Sequence, residues 1–588
     1  MLSSWSCKPR KEPSKLYLHL TIAGGGTSRS TKLRLISIAG DYGQALLAPE
    51  LLPEIVPLLE SPNCMVIGHD LLSDMVVIRR DIGRRLGLCN LWDCKLAMQM
   101  LNNGLYDPDS EESGASLQAI CRALLGWNLD DSPKDAGCSG ELSLRQMDFA
   151  ARASCVLERI YAQQKALIET RGMTRVASVE FEVLPALVEI EHNGIGFDTE
   201  KGLLLLDSKI MENDELEGEL ERYAKSKKMA AFSPRNPAHV KKLLRSQGYS
   251  LESTSAAALE RILLENSEDS FINLLLKYRE LRQQIGFLKN WTNFARENRI
   301  YPKLEQLGGR SGRITCSRPN IQQVPREPRL KGLFIAAPGM SFVEADFSAI
   351  EMRLVAALSG DEAMIKIFKK GLDPHKQTAQ AIFQKEKISD EERQIAKTLN
   401  YGTIYGGGAN MVLSKLPKLT ENEAREFLNR FYRSYPGLKR WQQEASEGAP
   451  TVVIDGQTYK ISKSALGRIR YVDPRHRNAL INTPVQASGA DLQKIALGRI
   501  YEKLTLPKYS DFRLINAVHD SILLEVPHKR AKEASKLLKG VMEQAGNEML
   551  KVIPCETDAK MGKDWSFKDE SRFGLGKMFS KAVSMMRR

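Results

Sequence analysis

The sequence lacks long apolar runs, paired cysteines and internal repeats, and each absence excludes a class of protein. No stretch approaches the roughly 18 consecutive apolar residues of a membrane-spanning helix, so no membrane segment is predicted. The nine cysteines include no CxxC pair, which argues against a structural zinc site or a secreted disulfide framework and favours a reducing compartment. The basic N-terminus MLSSWSCKPRKEPSK has no apolar segment, so it is not a secretory signal. It is interpreted as a disordered basic tail, with an organelle-targeting segment as the alternative.

What the sequence does contain is an ordinary soluble composition with a basic excess. Hydrophobic residues make up 42% and charged residues 27% of the 588 positions, which excludes disordered and fibrous classes. The chain is long enough for about three or four domains. Because 85 Lys+Arg outnumber 72 Asp+Glu and give a net charge of +13, we expect a polyanionic partner, most simply nucleic acid.

Three patterns succeed one another along the chain. Residues 16–165 alternate short β-rich runs with helical patterns, which predicts an α/β domain. Residues 170–300 are helical and rich in charge. Beyond residue 300 the pattern is mixed, with predicted strands at SFVEAD and LINAVHDSILLEV and a glycine-rich turn at 406–408. Residues 566–588 are interpreted as a basic tail or terminal helix.

Two predicted strands end in acidic side chains. In SFVEADFSAIEMRLVAALSG an apolar strand delivers Asp346 and a helix follows, although such an aspartate is by itself more often a cap or turn residue. In RLINAVHDSILLEV two apolar runs flank His519 and Asp520, which predicts a hairpin with a second carboxylate at its turn. Two such carboxylates suit phosphoryl transfer, because Mg²⁺ binds one or two carboxylates together with substrate phosphate oxygens.

A third segment, ERQIAKTLNYGTIYGGG, spaces two cations and two tyrosines four residues apart: Arg393, Lys397, Tyr401 and Tyr405. Four residues advance a helix by about 400°, so these side chains form one gently drifting stripe. The cations suit a triphosphate, and the rings suit the sugar and base of an incoming nucleotide. Alone, the stripe would be interpreted as a solvated basic face whose tyrosines enter the core. Its combination with the two carboxylates favours the nucleotide.

Together the three segments resemble motifs A, B and C of family A DNA polymerases, the group of bacterial DNA polymerase I and its phage relatives. Motif A is DFSAIEMR, motif B runs from Arg393 to Gly406, and motif C is Val518-His519-Asp520. The flanking blocks SGRITCSRPNIQQVP, DPHKQTAQAIF and NTPVQASGADLQ occur in the family's order. The resemblance covers residues 170–565 and implies a right-hand polymerase that adds dNTPs to a DNA primer on a template.

The resemblance also implies roles for individual residues. Two Mg²⁺ ions would be held by Asp346, Asp520 and the backbone carbonyl of Phe347. Lys397 would donate a proton to the leaving pyrophosphate. Glu351 would exclude nucleotides that carry a 2′-hydroxyl. A tyrosine at position 401 implies that the enzyme readily accepts dideoxynucleotides. The incoming dNTP would be bound by Arg393, Lys397, His375, Glu351, Tyr401 and Tyr405, the last of which would mark the template-base position. The primer–template would contact Arg313, Asn320, Gln322, Asn482, Gln486 and His519, which would check the shape of the base pair.

Two positions depart from the family pattern. Motif C reads His-Asp-Ser where the family usually has His-Asp-Glu, so Ser521 replaces a third carboxylate that lies near the metals without being their principal ligand. We expect activity to survive with an altered metal preference. Asn478, with Arg477 beside it, stands where the family commonly has an arginine four residues before Asn482, which puts one minor-groove contact in doubt.

The N-terminal segment resembles the DnaQ-like, RNase H-type 3′–5′ exonuclease domain of this family. VIGHDLLSDMVVIRRDIG resembles its second motif, with Asp74 at a metal-ligand position. Proofreading needs a set of four carboxylates around two metals. No Asp or Glu occurs between Pro13 and Gly40, where the first motif's acids belong, and Ala153 falls where the third motif has an aspartate after Phe149. We therefore expect a silent domain that serves as a scaffold or DNA clamp.

Alternatives to these interpretations remain open at this point. A different alignment would let Asp41 or Asp148 serve in proofreading. The nearest enzyme rival is a single-subunit RNA polymerase, which Glu351 opposes. An inactive DNA-binding accessory protein is the non-enzyme rival, which the intact motifs A to C oppose. No 5′-nuclease domain is expected in this length.

The expected organisation is an α/β multidomain protein in which an exonuclease-type domain precedes a right-hand polymerase. Lys241, Lys242 and Arg245, near the tip of the thumb, would bind DNA phosphates or simply form a charged helix. Expected partners are primer–template DNA and dNTPs, the expected state is a monomer with no membrane association, and the expected location is the cytoplasm or nucleoid of a bacterium or phage-infected cell, or an organelle. The expected boundaries are a tail at 1–15, the exonuclease-like domain at 16–168 and the polymerase domain at 169–588, with thumb about 200–300, palm about 301–375 and 470–565, and fingers about 376–469.

Overall fold

The computed structural model describes residues 13–23, 31–41, 43–105, 114–131, 141–229, 231–416 and 419–568. Residues 1–12 of the N-terminal tail and 569–588 of the C-terminal basic segment lie outside these ranges, as do Cys7 and Cys138. No helix within the described ranges combines the length and the apolar character needed to cross a bilayer.

The first part of the described chain is a five-stranded sheet with helices packed on it. Its elements are β1 (Lys15–Ala23), β2 (Lys32–Gly40), β3 (Gly43–Leu47), α1 (Leu52–Leu59), β4 (Met65–Gly68), α2 (Leu71–Ile82), β5 (Leu91–Asp93), α3 (Cys94–Leu101), α4 (Leu117–Leu125) and α5 (Leu144–Thr170). The strands lie in the order β3-β2-β1-β4-β5, with β1 antiparallel to β2 and parallel to β4. Helix α5 begins with a capping box between Ser143 and Gln146 and packs across β1, β2 and β3.

The following part is mainly helical, as the sequence predicts. Its elements are α6 (Thr174–Asn193), β6 (Ile195–Gly196), α7 (Thr199–Ser226), α8 (Pro237–Ser246), α9 (Ala256–Glu265), α10 (Ser270–Phe294), β7 (Arg299–Ile300), β8 (Lys303–Glu305), β9 (Thr315–Ser317) and α11 (Pro328–Lys331). Helix α6 ends at the predicted place, before Gly194 with φ +57°. Helices α7 and α10 pack along each other to form one long helical hairpin.

The third part is built on an antiparallel sheet of order β14-β15-β10-β16, named the central sheet here. Helix α20 packs on this sheet, and α12 packs against α18 and α19. The elements of this part are β10 (Met340–Phe347), α12 (Ile350–Ser359), α13 (Glu362–Lys369), α14 (Pro374–Phe383), α15 (Asp390–Ile404), α16 (Ala409–Lys415), α17 (Glu421–Ser434), α18 (Pro436–Ser446), β11 (Thr451–Ile454), β12 (Gln457–Lys463), β13 (Ile469–Val472), α19 (Arg477–Leu504), β14 (Arg513–Val518), β15 (Ser521–Pro527), α20 (Ala531–Leu550) and β16 (Thr557–Gly562).

Helices α6 and α19 pack along each other around a buried network of charged residues. The Lys494 Nζ donates to both carboxylate oxygens of Glu180, at 2.7 and 2.8 Å, and to the Gln306 carbonyl oxygen at 3.0 Å. Arg468 binds the Asp491 carboxylate, with 2.8 Å between Nε and Oδ1, and also binds Glu180. The four charged residues are at most 3% exposed, so their two positive and two negative charges compensate one another away from water.

Helix α2 joins the N-terminal sheet to the rest of the molecule. Its Arg79 Nε lies 2.6 Å from the Oε1 of the buried Glu189 on α6. From β8, the Lys303 Nζ donates to the Ser73 Oγ of α2 at 2.9 Å. Hydrogen bonds and ion pairs therefore attach the sheet to α6 and β8 in addition to apolar packing.

Candidate active site

The central sheet brings the two predicted carboxylates to one edge. Strand β10 pairs with β15 so that Asp346 lies opposite Ser521, and with β16 so that Asp346 lies opposite Asp558. His519, with φ +53°, and Asp520 form the tight turn between β14 and β15, where the sequence predicts a hairpin. The Phe347 N–H donates to the Asp520 carbonyl oxygen at 3.2 Å, so the end of β10 is held against this turn.

The electrostatics of this edge favour a cation. Burial and the nearby Asp520 carboxylate raise the pKa of Asp346 to about 7, and burial also raises the pKa of Asp520. A divalent ion would remove this penalty, and carboxylate and carbonyl oxygens are the ligands that Mg²⁺ prefers. No tight group of three or more His, Cys, Asp or Glu side chains occurs in the described part of the chain. A metal here would therefore rely on two carboxylates, the Phe347 carbonyl and substrate oxygens.

Helix α15 carries the predicted stripe of cations and tyrosines. It begins with a capping box between Ser389 and Glu392, and its buried positions anchor the helix against its neighbours. Arg393, Lys397 and Tyr401 lie on the helix, but Tyr405 is the first residue after its end. The last residue of the stripe thus lies just beyond the helix. The helix ends there because the chain turns at Gly406, which has φ +80°.

An anchored histidine faces the same space as the cations of α15. Asp373 caps α14, accepting from the His375 N–H at 2.8 Å, and its other carboxylate oxygen accepts from the Arg393 Nε at 2.6 Å. Asn400 Nδ2 donates to the His375 Nδ1 at 3.0 Å, which leaves the ring proton on Nε2. Burial lowers the pKa of His375 to about 4, so the ring is neutral at physiological pH and offers one N–H to an anion.

Glu351, on the first turn of α12, lies between an arginine and two tyrosines. The Arg313 Nη2 donates to its Oε1 at 3.1 Å. Burial raises the pKa of Tyr401 and of Tyr405, and the negative charge of Glu351 raises both further. The ring of Tyr401 also lies near that of His375, with 5.8 Å between centroids. One carboxylate thus adjoins both rings of the stripe.

These features line one open cleft with an empty volume of about 1640 Å³. The predicted site residues on its walls are Arg313, Asp346, Phe347, Glu351, His375, Arg393, Lys397, Tyr401, Gln486, His519 and Asp520. Four predicted residues are not among the lining residues of this cleft: Asn320, Gln322, Tyr405 and Asn482. Of these, the Gln322 Nε2 donates to the Ala517 carbonyl oxygen at 3.0 Å, next to the motif C turn, and Asn482 precedes Gln486 by one turn of α19.

Sequence reasoning missed three charged residues of this cleft, Arg326, Asp373 and Asp558. For Asp373 a signal existed, since an aspartate before Pro-His is a helix cap next to a predicted ligand. Asp558 reaches the site only through the pairing of β16 with β10, which no local pattern indicates. Its Oδ2 accepts from the Ser348 Oγ at 2.6 Å.

The structure also shows the contacts of Asn478 and Arg477, and those of the three cations on α8. A Cβ at Gly406 would meet the Asn478 Oδ1 at 3.0 Å and the Arg477 Nη1 at 3.7 Å, so both residues lie against the end of motif B. On α8, the Lys241 Nζ donates to the Glu252 carbonyl oxygen at 2.9 Å, whereas Lys242 and Arg245 are exposed.

A second cleft, with an empty volume of about 1350 Å³, lies where the N-terminal sheet meets β8 and β9. His19, Asp70, Lys95 and Glu305 are among its lining residues. The Lys95 Nζ lies 3.1 Å from the Asp70 Oδ1 and 3.6 Å from the Glu305 Oε2. Asp74 is buried beneath this cleft, and burial together with Asp70 raises its pKa well above the usual range.

Asp93, a further acid near this cleft, and the two alternative candidates Asp41 and Asp148 have other partners. Asp93 accepts from the backbone N–H of Leu71 at 2.7 Å and of Lys95 at 2.8 Å. Asp41 accepts from the Ser14 backbone and hydroxyl, both at 3.0 Å, and Asp148 pairs with Arg152 on the exposed surface of α5.

Comparison with known proteins gives a consistent result. The model of DNA polymerase family A matches residues 213–567. DNA polymerase I of Aquifex aeolicus is 28% identical over 571 residues, covering 91% of this chain and 94% of that protein. The thermostable DNA polymerase I of Thermus aquaticus is 33% identical over 334 residues, or 53% of this chain and 38% of that protein. That of Thermus filiformis is 29% identical over 71% of this chain, which matches about half (51%) of its length.

A solved structure has the same fold. The polymerase domain of Pol1 from M. smegmatis, determined in complex with DNA primer–template and dNTP, superposes with a TM-score of 0.78 at 21% identity, covering 94% of this chain and 96% of that chain. The family model alone spans more than half of the sequence and contains the whole of motifs A, B and C. The chain therefore belongs to DNA polymerase family A, and it is a DNA-directed DNA polymerase.

Proposed function

We propose that the chain extends DNA primers by two-Mg²⁺ phosphoryl transfer in the cleft above the central sheet, in DNA replication or repair, and that it does so as a monomer without proofreading. One observation carries the proposal. Two strand-end carboxylates, Asp346 and Asp520, face the Arg393 and Lys397 cations of α15 across a single cleft. The chain supplies all of these groups itself, so one copy is sufficient.

Each group has a defined task in this reaction. When bound, the ions would lower the pKa of the primer 3′-hydroxyl and stabilise charge on the transferring phosphate. Asp346, Asp520 and the Phe347 carbonyl would hold them. Arg393, fixed by Asp373, and the Nε2–H of His375 would bind triphosphate oxygens. Lys397 would donate a proton to the leaving pyrophosphate.

Base-pair checking falls to the residues around the motif C turn and α19. We propose that Arg313, Asn320, Gln322, Asn482, Gln486 and His519 contact the primer–template. The fold shared with a polymerase domain solved with DNA and dNTP supports this placement. The α7–α10 hairpin would act as the thumb, with the exposed Lys242 and Arg245 at DNA phosphates, and the helices around α15 as the fingers.

Glu351→Ala is expected to lower the preference for dNTPs over rNTPs by about 10- to 100-fold, because the side chain would no longer fill the space below the sugar. The measurement is kcat/KM for each nucleotide class on one primer–template. Glu351→Gln keeps the volume and is the matched control, with most of the discrimination retained. An unchanged preference in Glu351→Ala would show that another residue excludes the 2′-hydroxyl.

The N-terminal sheet is proposed to be a DnaQ-like exonuclease fold within residues 16–168. Its strand order, with one antiparallel and one parallel neighbour of β1, supports this assignment. Among the described residues of this domain, Lys95 pairs with Asp70 and backbone N–H groups occupy Asp93, which supports the proposal that these carboxylates hold no metal. Ala153, fully buried, cannot supply a ligand. A lysine ammonium beside Asp70 would also repel a divalent cation.

A labelled primer on a longer template tests both halves of the proposal. With Mg²⁺ and dNTPs the primer is expected to lengthen, with rNTPs it is expected to stay nearly unextended, and without nucleotides it is expected to keep its length. Shortening in the empty lane that disappears in Asp74→Ala would establish a working exonuclease site. Absence of extension with dNTPs would contradict the polymerase assignment.

A further inference from the structure

We propose that Glu344 supplies the third carboxylate of the polymerase site, in place of the glutamate that motif C lacks at Ser521. This inference rests on the proposed two-metal function and assigns a positioning role to a residue outside the three motifs. The carboxylate would have moved from the strand after the motif C turn to the neighbouring strand of the same sheet.

The geometry of the central sheet places Glu344 beside Ser521, the position at which the family usually has a glutamate. Glu344 precedes Asp346 by two residues on β10, so the two side chains leave the strand on the same face. Ser521 lies opposite Asp346 on β15, and its hydroxyl shares one proton between the Glu344 Oε1 at 3.3 Å and the Val518 carbonyl oxygen at 3.2 Å. The residue that replaces the motif C glutamate therefore contacts a carboxylate directly.

Glu344 is held in this position by a second donor. The Trp565 Nε1 donates to the same Oε1 at 3.0 Å. Both hydrogen bonds end on Oε1. Lys560 lies opposite Glu344 on β16 and gives the carboxylate a cationic neighbour on the side away from Ser521.

Glu344 acts on the site through its negative charge rather than as a direct ligand. No three acidic side chains of the described chain are grouped tightly enough to share one ion. Residues two apart in a strand are about 7 Å apart, a distance that lies within the Debye length of about 8 Å at physiological ionic strength. A full negative charge at Glu344 is therefore felt at Asp346 and adds to the attraction for a divalent cation.

Glu344→Gln separates the charge from the hydrogen bonds. The amide oxygen can still accept from Trp565 and Ser521, but the negative charge is gone. We expect the affinity of the enzyme–DNA complex for Mn²⁺, measured by electron paramagnetic resonance of the free ion without nucleotide, to fall roughly tenfold. The Mg²⁺ concentration for half-maximal extension is expected to rise in parallel. Unchanged Mn²⁺ affinity in a folded Glu344→Gln would overturn the inference.

Two further variants complete the test. Ser521→Glu added to Glu344→Gln restores a carboxylate at the motif C position and is expected to recover most of the Mn²⁺ affinity; no recovery would contradict the proposed exchange. Trp565→Phe removes a hydrogen bond but no charge, and it is expected to leave the affinity near that of the wild type. A loss in Trp565→Phe equal to that in Glu344→Gln would mean that Glu344 only supports packing.

The inference stays testable if Glu344→Gln does not fold, and its failure can be distinguished from failure of the proposed polymerase function. If circular dichroism shows that Glu344→Gln is unfolded, Ser521→Glu alone carries the test. It is expected to bind Mn²⁺ about sevenfold more tightly, the effect of one unit charge about 7 Å from a divalent ion in water, and unchanged or weaker binding would contradict the inference. Failure of the wild type to extend primers would contradict the proposed function, whereas Mn²⁺ affinity reports on Glu344 independently.

Discussion

Asp346→Ala is expected to slow primer extension about a thousandfold, which corresponds to an increase of about 4 kcal/mol in the activation free energy. The side chain lies at the end of β10, against the Asp520 turn, and no other carboxylate of β10 reaches the cleft lining. Without it, the site would lose one of the two carboxylates that would hold the proposed ions. The measurement is single-turnover extension at saturating dNTP.

Controls separate chemistry from folding and DNA binding. Asp346→Asn keeps the size of the side chain and is expected to lose nearly as much activity. Asp207, exposed on α7, is the matched control, and its change to alanine is expected to leave the rate unaltered. Affinity for primer–template should be nearly the same in all three variants. Near-normal extension by Asp346→Ala would remove the basis of the two-metal proposal.

Glu180→Gln is expected to destabilise the protein by about 3–5 kcal/mol, since Lys494 and Arg468 would face a single buried carboxylate. Burial alone would raise the pKa of Glu180, but Lys494 and Arg468 outweigh it and lower that pKa. The contribution of Glu180 is therefore complete at neutral pH and is lost only on acidification below the usual glutamate range. A fall in melting temperature of about 2–4 °C, the shift that such a loss produces in a chain of this size, would show the effect.

Two variants control this experiment. Glu182, exposed on the same helix and bonded to Ser178, is the matched position, and Glu182→Gln is expected to change the melting temperature little. Combining Glu180→Leu with Lys494→Met removes opposite charges together and is expected to recover part of the loss. Equal melting temperatures for Glu180→Gln and wild type would show that the network adds nothing to stability.

The sequence predicts most of the active cleft because its residues lie in continuous segments. The strand ending at Asp346, the hairpin turn at Asp520 and the α15 stripe follow from local periodicity, and the family resemblance assigns them roles. The family assignment is confirmed by the comparisons. The individual residue roles, the domain boundaries and the loss of proofreading stay predictions.

What sequence reasoning missed depends on pairing between distant segments. Asp558 reaches Asp346 across β16 and β10, and Glu344 meets Ser521 across β10 and β15. Glu180 belongs to a helix that is rich in charge by composition, and only tertiary packing shows that this one glutamate is buried while Glu182 is not. Local patterns cannot distinguish a solvated charge from a buried one, since both have the same residue type.

In the cleft between the N-terminal sheet and β8, the cation is the ammonium group of Lys95, which belongs to the protein itself. A cation carried on a side chain cannot be chelated, diluted or exchanged for a competing ion. The contact of Lys95 with both Asp70 and Glu305 therefore persists whatever the supply of magnesium. Under the proposed two-metal mechanism, a lack of magnesium would stop synthesis, whereas this contact between the N-terminal domain and β8 would remain.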